Sequence, residues 1–377
     1  MSAPTGSRAE RVSRVLADAG VDAAVLSSIP SVAQAAGFWP RWEMWPGESP
    51  HTLDPTLCLA WPDRGARLLL PNYYAAYEPS VRAQVRSVAS YSYLEPPDKL
   101  AELAGALADE LGGRVERLGW EPRTLPALVR DELASRVEVG EWVDLSGPLA
   151  AASAVKTEEE IEGIRRAAAV ADTIQRTVKE RAEPGRREID VAADALAAAW
   201  ALEGRRFPIL IQLRSGPATA VRGEWHPGAG ALEEGDVVCT DTAPWLDGLW
   251  ADSCNGLAVG AATAAHREAF AIAAEALHAG IAAVRPGVPA RAVDEACRRA
   301  VRASGHDYNH HTGHGLGYVR AELPRITPTS EDVLEAGMVI ALEPGLYVEG
   351  WGGFRHEHIM AVRAGGAELL TRFEHTL

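Results

Sequence analysis

The sequence predicts an α/β (α+β) protein of two domains: a small α/β domain over residues 1–150, then a larger one over residues 151–377 with an internal pseudo-twofold repeat. Three observations predict it. A chain of 377 residues exceeds what one hydrophobic core usually holds. Its first part alternates helix and strand signals. Its second part repeats its own turn motifs at one fixed offset.

The elements follow in order. Val12, Val15, Leu16 and Ala19 recur at helical spacing, Gly20 stops the helix, and the apolar run 21–26 reads as a strand. Two further strand-like runs, 57–61 and 66–70, are separated by the turn residues Pro62-Asp63-Arg64-Gly65. Helical spacing returns over residues 99–111. From Lys156 the chain becomes strongly helical, with Glu158 to Glu160 placed at the positive end of the helix dipole. Ile161, Ile164, Ala168, Ala171 and Val178 then form one apolar stripe.

The repeat lies beyond that helix. Pro184-Gly185 returns as Pro286-Gly287, and Leu-Glu-Glu-Gly at 232–235 returns as Leu-Glu-Ala-Gly at 334–337, both after 102 residues. Each copy reads as helix, turn, helix and Gly-led apolar strand, with an acid six residues past the glycine: Asp241 and Glu343. Shared turn chemistry alone could produce two such units. A duplicated half-domain explains more, because it sets the two acids face to face, where metal or protons must neutralise them.

Composition narrows the function. Hydrophobic residues make up 47% and charged residues 24%, and no run approaches the ~18 apolar residues of a membrane span, so no membrane association is expected. The opening MSAPTGSRAERVSR lacks the apolar stretch of a secretory signal, which leads to an expected cytoplasmic location. Cys58, Cys239, Cys254 and Cys297 are widely spaced and read as reduced thiols without a catalytic role. A formal net charge of −15 argues against nucleic acid or anionic lipid as partner and for a small molecule or peptide.

Asp241 and Asp252 flank the hairpin-turn dipeptide Asp247-Gly248. With those two residues as the loop, 241 pairs with 254, and alternation puts 252 on the same face as 241. Diagonal neighbours roughly 7–8 Å apart can converge on two ions about 3.5–4 Å apart. His314 follows in the Gly-rich HHTGHGLG (310–317), Glu343 in ALEPGLY (341–347) and Glu357 in GGFRHEH (352–358). Apolar runs adjoin both glutamates, so the acids belong to core strands and need partners there. Four carboxylates and one imidazole form a hard donor set that suits two divalent ions, manganese first and iron(II) second, with cobalt or zinc as further choices.

These residues resemble the M24 metallopeptidase superfamily of creatinase, prolidase, aminopeptidase P and methionine aminopeptidase. The spacings of 11, 62, 29 and 14 residues through Asp241, Asp252, His314, Glu343 and Glu357 are similar to those of prolidase-type members. The helix-strand opening, Ala-Gly-Phe at 36–38 and the Lys156 to Ile161 junction resemble the creatinase-type N-terminal domain and its boundary. The resemblance implies a pita-bread catalytic domain and a dinuclear metal centre held by those five ligands. It also implies a catalytic water activated between the ions, with Glu343 as proton shuttle. His310 matches the family's histidine that steadies the tetrahedral intermediate, and His226 is assigned more loosely as a second substrate histidine. Arg355 falls in the family's Gly-x-Arg-x-Glu pattern, where it pairs with a ligand carboxylate. The resemblance further implies a homodimer formed through the N-terminal domain.

The pattern departs in two places. Peptidases of the family carry a substrate-contacting histidine seven residues after the metal histidine, and here that position is Ala321. The loop 215–227 is also unusual, with Arg222, Glu224 and Trp225, the last a candidate substrate platform. The expected function is therefore a metal-dependent hydrolase of a small C–N bond, resembling Xaa-Pro dipeptidases and aminopeptidases but with altered specificity. Two alternatives stand beside it: a lyase or amidinohydrolase-type enzyme acting on a small metabolite, and a catalytically inactive binding module. His356 and His358 should point away from Glu357 by strand alternation.

Overall fold

A computed structural model describes residues 7–39, 56–72, 84–88, 98–221 and 225–377. Two compact units divide it, one up to Ser153 and one from Ala154 to the C-terminus. The first contains α1 (Arg8–Asp18), β1 (Ala23–Leu26), α2 (Ile29–Ala36), β2 (Leu57–Trp61), β3 (Gly65–Pro71), β4 (Gln84–Val88), α3 (Lys99–Leu111), β5 (Arg114–Trp120), α4 (Ala127–Arg136) and β6 (Glu138–Asp144), and α5 (Ser146–Ala154) reaches its end.

Its six strands form one mixed sheet in the order β4-β3-β2-β1-β5-β6. The central β1 is buried on both faces, so its side chains alternate between two cores. Ala23 and Val25 pack with Leu103, Leu107, Val129 and Leu133 of α3 and α4. Ala24 and Leu26 pack with Val12, Leu16, Val32 and Ala36 of α1 and α2. Cutting the fully buried Leu107 back to alanine would cost about 2–5 kcal/mol.

The second unit opens with two helices, α6 (Glu158–Arg181) and α7 (Glu188–Glu203), followed by β7 (Ile209–Ser215), β8 (Val237–Leu246), β9 (Leu249–Trp250) and β10 (Ser253–Ala258). It then repeats the plan with α8 (Ala264–Ala283), α9 (Ala290–Arg302), β11 (Gly313–Gly315), β12 (Glu322–Ile326), β13 (Val339–Leu342), β14 (Gly345–Val348), β15 (Gly352–Arg355), β16 (His358–Arg363) and β17 (Gly366–Leu369). The α6 start is a capping box, with Thr157 and Glu160 satisfying each other's backbone N–H, a device worth about 1 kcal/mol. The stripe Ile161, Ile164, Ala168, Ala171 and Val178 is buried, and Gln175 of the same helix donates to the carbonyls of Thr240 and Ser253.

The repeat extends to the hydrogen bonds. Gly185 donates to the Leu232 carbonyl as Gly287 does to Leu334, and the bridges Arg187–Ala231 and Pro289–Val333 correspond at the same offset. Both turn glycines have φ 85°, a left-handed conformation that side chains disfavour. One sheet runs β10-β8-β7, a second β12-β11-β13-β16-β17, and β14 and β15 pair as a two-stranded ribbon. Asp252 immediately precedes β10, which pairs with β8, and Glu357 immediately precedes β16, which pairs with β13. The two halves thus deliver their acids from equivalent places.

Candidate metal centre

β8 is buried along all ten residues, with Asp241 at its middle. The hairpin closes at Asp247 and Gly248, both at positive φ, and Cys254 pairs with Asp241, the register that the spacing predicts. His314 sits in β11 between β12 and β13, where the backbones approach so closely that a Cβ on Gly313 or Gly315 would fall 2.0 Å from a carbonyl oxygen. Glu343 follows β13, and its N–H donates to the Thr312 carbonyl. The Glu357 N–H donates to the carbonyl of Cys254, which joins the two halves at the site.

Asp241, Asp252, His314, Glu343 and Glu357 are all buried. Ligand atoms of Asp252, His314 and Glu357 lie within 4.8 Å of one another. His314 Nε2 is 3.5 Å from Glu343 Oε1 and 3.8 Å from Asp252 Oδ2. The His314 Nδ1–H donates to the Gly315 carbonyl at 2.9 Å, and burial lowers the imidazole's pKa, so Nε2 keeps a lone pair facing the carboxylates. Arg355 Nη2 donates to Asp241 Oδ2, and its guanidinium also stands 3.8 Å from Glu343.

Whether this set suits divalent ions can be tested on its own atoms. Asp252 Oδ1 and both carboxylate oxygens of Glu357 are buried and find no hydrogen-bond partner among the described residues. Burial, followed by the charge of neighbouring carboxylates, pushes both acids well above the ordinary range. Glu343 behaves differently: burial opposes its ionisation, yet the bond from His311 and the charge of Arg355 hold it below that range. Orphaned, crowded carboxylate oxygens beside an available imidazole nitrogen fit hard divalent cations.

Next to this cluster lies a cavity of about 510 Å³ lined by Trp225, His310, Tyr347 and Arg355, among others. His310 hydrogen-bonds through Nε2 to the Tyr347 hydroxyl at 3.0 Å. Burial, opposed by the charge of Glu343, pushes its pKa down to about 4, so it is neutral at pH 7. Trp225 packs its ring 4.4 Å from the Arg355 guanidinium. His226 is exposed and is not among the cavity's lining residues, so the structure does not gather it with His310. Arg222 and Glu224 lie outside the described residues. Ala321 stands just before β12, half-buried and without a donor to offer. His356 packs against Phe270 and His375, away from the acids.

Three contributors were not singled out from the sequence. His311 places Nε2 2.8 Å from Glu343 Oε1, and with His314 and Glu343 it forms a second group able to hold an ion. Arg320 Nη1 reaches Asp252 Oδ2 at 3.2 Å. Arg298 of α9 donates to the carbonyls of Tyr308 and His310, both at 2.6 Å, and so pins the histidine segment. The His310-His311 doublet was visible as a motif and Arg320 adjoins the spaced position Ala321, whereas Arg298 comes from a helix with no spacing signal.

The pattern described as metallopeptidase family M24 matches residues 162–364, and that of the creatinase/prolidase N-terminal domain matches residues 8–155. A probable dipeptidase PepE of Mycobacterium bovis is 35% identical over 228 residues, 59% of this chain; the match spans 60% of that relative's length. An Xaa-Pro dipeptidase of Pyrococcus furiosus is 31% identical over 275 residues, 71% of this chain and 77% of that protein. The crystal structure of the prolidase from Pyrococcus horikoshii superposes with a TM-score of 0.82 at 24% identity, covering 98% of this chain and 99% of that one, a likeness of fold.

Proposed function

We propose, from the premise that this chain belongs to metallopeptidase family M24, that it is a metal-dependent hydrolase of a small C–N bond, with Xaa-Pro dipeptides as its substrate class and a specificity altered from the ordinary prolidases. The observation that carries this reading is the buried cluster of four carboxylates, three of which, Asp252, Glu343 and Glu357, surround the neutral His314 imidazole, with oxygens of Asp252 and Glu357 left unpartnered. Names borne by relatives, Xaa-Pro dipeptidase and dipeptidase PepE, support the substrate class.

In this reading Asp241, Asp252, His314, Glu343 and Glu357 hold two divalent ions, manganese by preference. When bound, the ions supply an activated water and a field that stabilises developing negative charge. Glu343 carries the proton from that water to the leaving nitrogen, a task suited to a carboxylate held ionised by His311 and Arg355. Neutral His310 and Tyr347 face the cavity and position the substrate beside the acids. Arg355 balances the charge of Asp241. Ala321 and the 215–227 loop underlie the altered specificity, and the missing donor at Ala321 favours, as a second reading, a non-peptidase relative acting on a small metabolite.

The test is to strip the protein with a chelator, restore manganese, iron(II), cobalt or zinc in turn, and screen dipeptides with and without proline. Metal-dependent release of free amino acids supports the hydrolase. Absence of turnover with every metal returns the question to the second reading. A cytoplasmic homodimer is part of the proposal; no helix among the described residues is long and apolar enough to cross a membrane, and a monomer mass by light scattering would remove the dimer.

A further inference from the structure

We infer that Arg320 is a further catalytic residue, whose guanidinium receives the negative charge that develops on the scissile carbonyl oxygen. The inference rests on the hydrolytic reading above and adds to it the group that meets the oxyanion.

Two arginines reach the candidate ligands among the described residues, and they are built differently. Arg355 is committed: Nη2 donates to Asp241, Nε to Cys254 Sγ at 3.2 Å, its plane lies on Trp225, and its side chain is 12% exposed. Arg320 touches Asp252 through Nη1 while its side chain remains 41% exposed. That exposure leaves the side chain accessible from solvent on the Asp252 side of the cluster, outside the wall of the 510 Å³ cavity. The charges of Asp252, Asp241, Glu357 and Glu343 all act on it, so the guanidinium lies within the field of the whole cluster.

The chain on either side of Arg320 is also held in place. Two residues before it, the buried Tyr318 donates its hydroxyl to Glu160 Oε1 at 2.7 Å. Two residues after it, Glu322 pairs with the fully buried Lys156, whose side chain fills the space beside Gly317. Both tethers run to the start of α6, so the segment between them is fixed before any substrate binds. A donor fixed in advance and aimed where charge develops lowers a barrier more than one that must reorganise. Ala321, next in the chain, offers no donor, which leaves Arg320 as the side chain of this segment able to serve.

Charge counting agrees. Four carboxylates and two divalent ions sum to zero, and Arg320 with Arg355 makes the loaded centre positive before an anion forms. In the step itself, water's oxygen adds to the carbonyl carbon while the C=O π pair moves to oxygen. An N–H of Arg320 donates to that oxygen without losing its proton. When the C–N bond breaks the pair returns, and nitrogen departs with the proton delivered by Glu343.

The competing role for Arg320 is charge balance for Asp252 alone. The full-length, manganese-loaded protein and its Arg320→Ala and Arg320→Lys variants separate the two. The expected result for Arg320→Ala is a fall in kcat on Ala-Pro of about 100- to 1000-fold with KM little changed, and partial rescue by added guanidinium ion. By calorimetry, a phosphinic dipeptide, which mimics the tetrahedral state, should lose affinity by a similar factor while metal content stays at the wild-type value. Arg320→Lys, which keeps the charge, should fall between and serves if the alanine variant does not fold. Retention of both kcat and phosphinate affinity within about threefold overturns the inference, as does a loss explained by lost metal. A wild-type protein that cleaves no dipeptide overturns the hydrolase reading instead, and the phosphinate titration then decides on Arg320 alone.

Discussion

Arg355 Nη2 donates to Asp241 Oδ2 at 2.5 Å, with both side chains almost wholly buried. The pair ties β15 to the centre of β8 and neutralises one acid of the cluster directly. Replacing Arg355 by Met leaves Asp241 as a buried uncompensated charge, a change that costs about 3–5 kcal/mol in comparable buried pairs. Urea denaturation of the metal-free variant should show this loss, and added manganese should recover part of it by supplying positive charge. The same loss with and without metal would mean that the arginine contributes packing instead.

Asp252→Ala and Glu357→Ala remove the acids whose oxygens are orphaned in the structure. The wild-type protein should bind about two divalent ions per chain, and each variant should bind fewer. Elemental analysis after dialysis reads the stoichiometry. Metal content near zero in the wild type, after exposure to manganese, iron(II) and zinc, would refute the dinuclear site.

The raised pKa values of Asp252 and Glu357 make the stability of the metal-free protein depend on pH. Folded, these acids hold protons that the unfolded chain releases at ordinary carboxylate pH, so the native state binds more protons in the window above ~4. Stability should therefore fall as pH rises through that window. Melting temperatures of chelator-treated protein between about pH 5 and pH 8 should decline from this contribution, and saturating manganese should flatten the slope. An unchanged slope on adding metal would exclude these carboxylates as its source.

Ala321→His restores the donor that peptidases of the family carry at this position, yet it should not raise turnover of Ala-Pro. The reason is that Ala321 is one of two departures: the 215–227 loop differs too. Next door, Arg320 occupies Asp252. One donor added to a pocket of another shape leaves the substrate misplaced. A tenfold gain in kcat, or wild-type kcat/KM on Xaa-Pro dipeptides already at about 10⁴ M⁻¹s⁻¹, would show the specificity to be ordinary.

The sequence by itself determined the features governed by local periodicity. The hairpin dipeptide Asp247-Gly248 and the two-residue alternation of a strand were enough to pair Asp241 with Cys254. The repeat offset of 102 residues identified equivalent turns whose hydrogen bonds also correspond. Such features depend on residues a few positions apart, or on one rule applied twice.

Tertiary structure decided what depends on the meeting of distant segments. Arg298 braces the His310 segment from a helix, Lys156 anchors Glu322 across 166 residues, and Arg320 and Arg355 reach different aspartates. It also left His226 exposed while enclosing its neighbour Trp225. No periodicity encodes these contacts, because long flexible side chains choose partners by packing and charge only once the sheets have brought the carboxylates together.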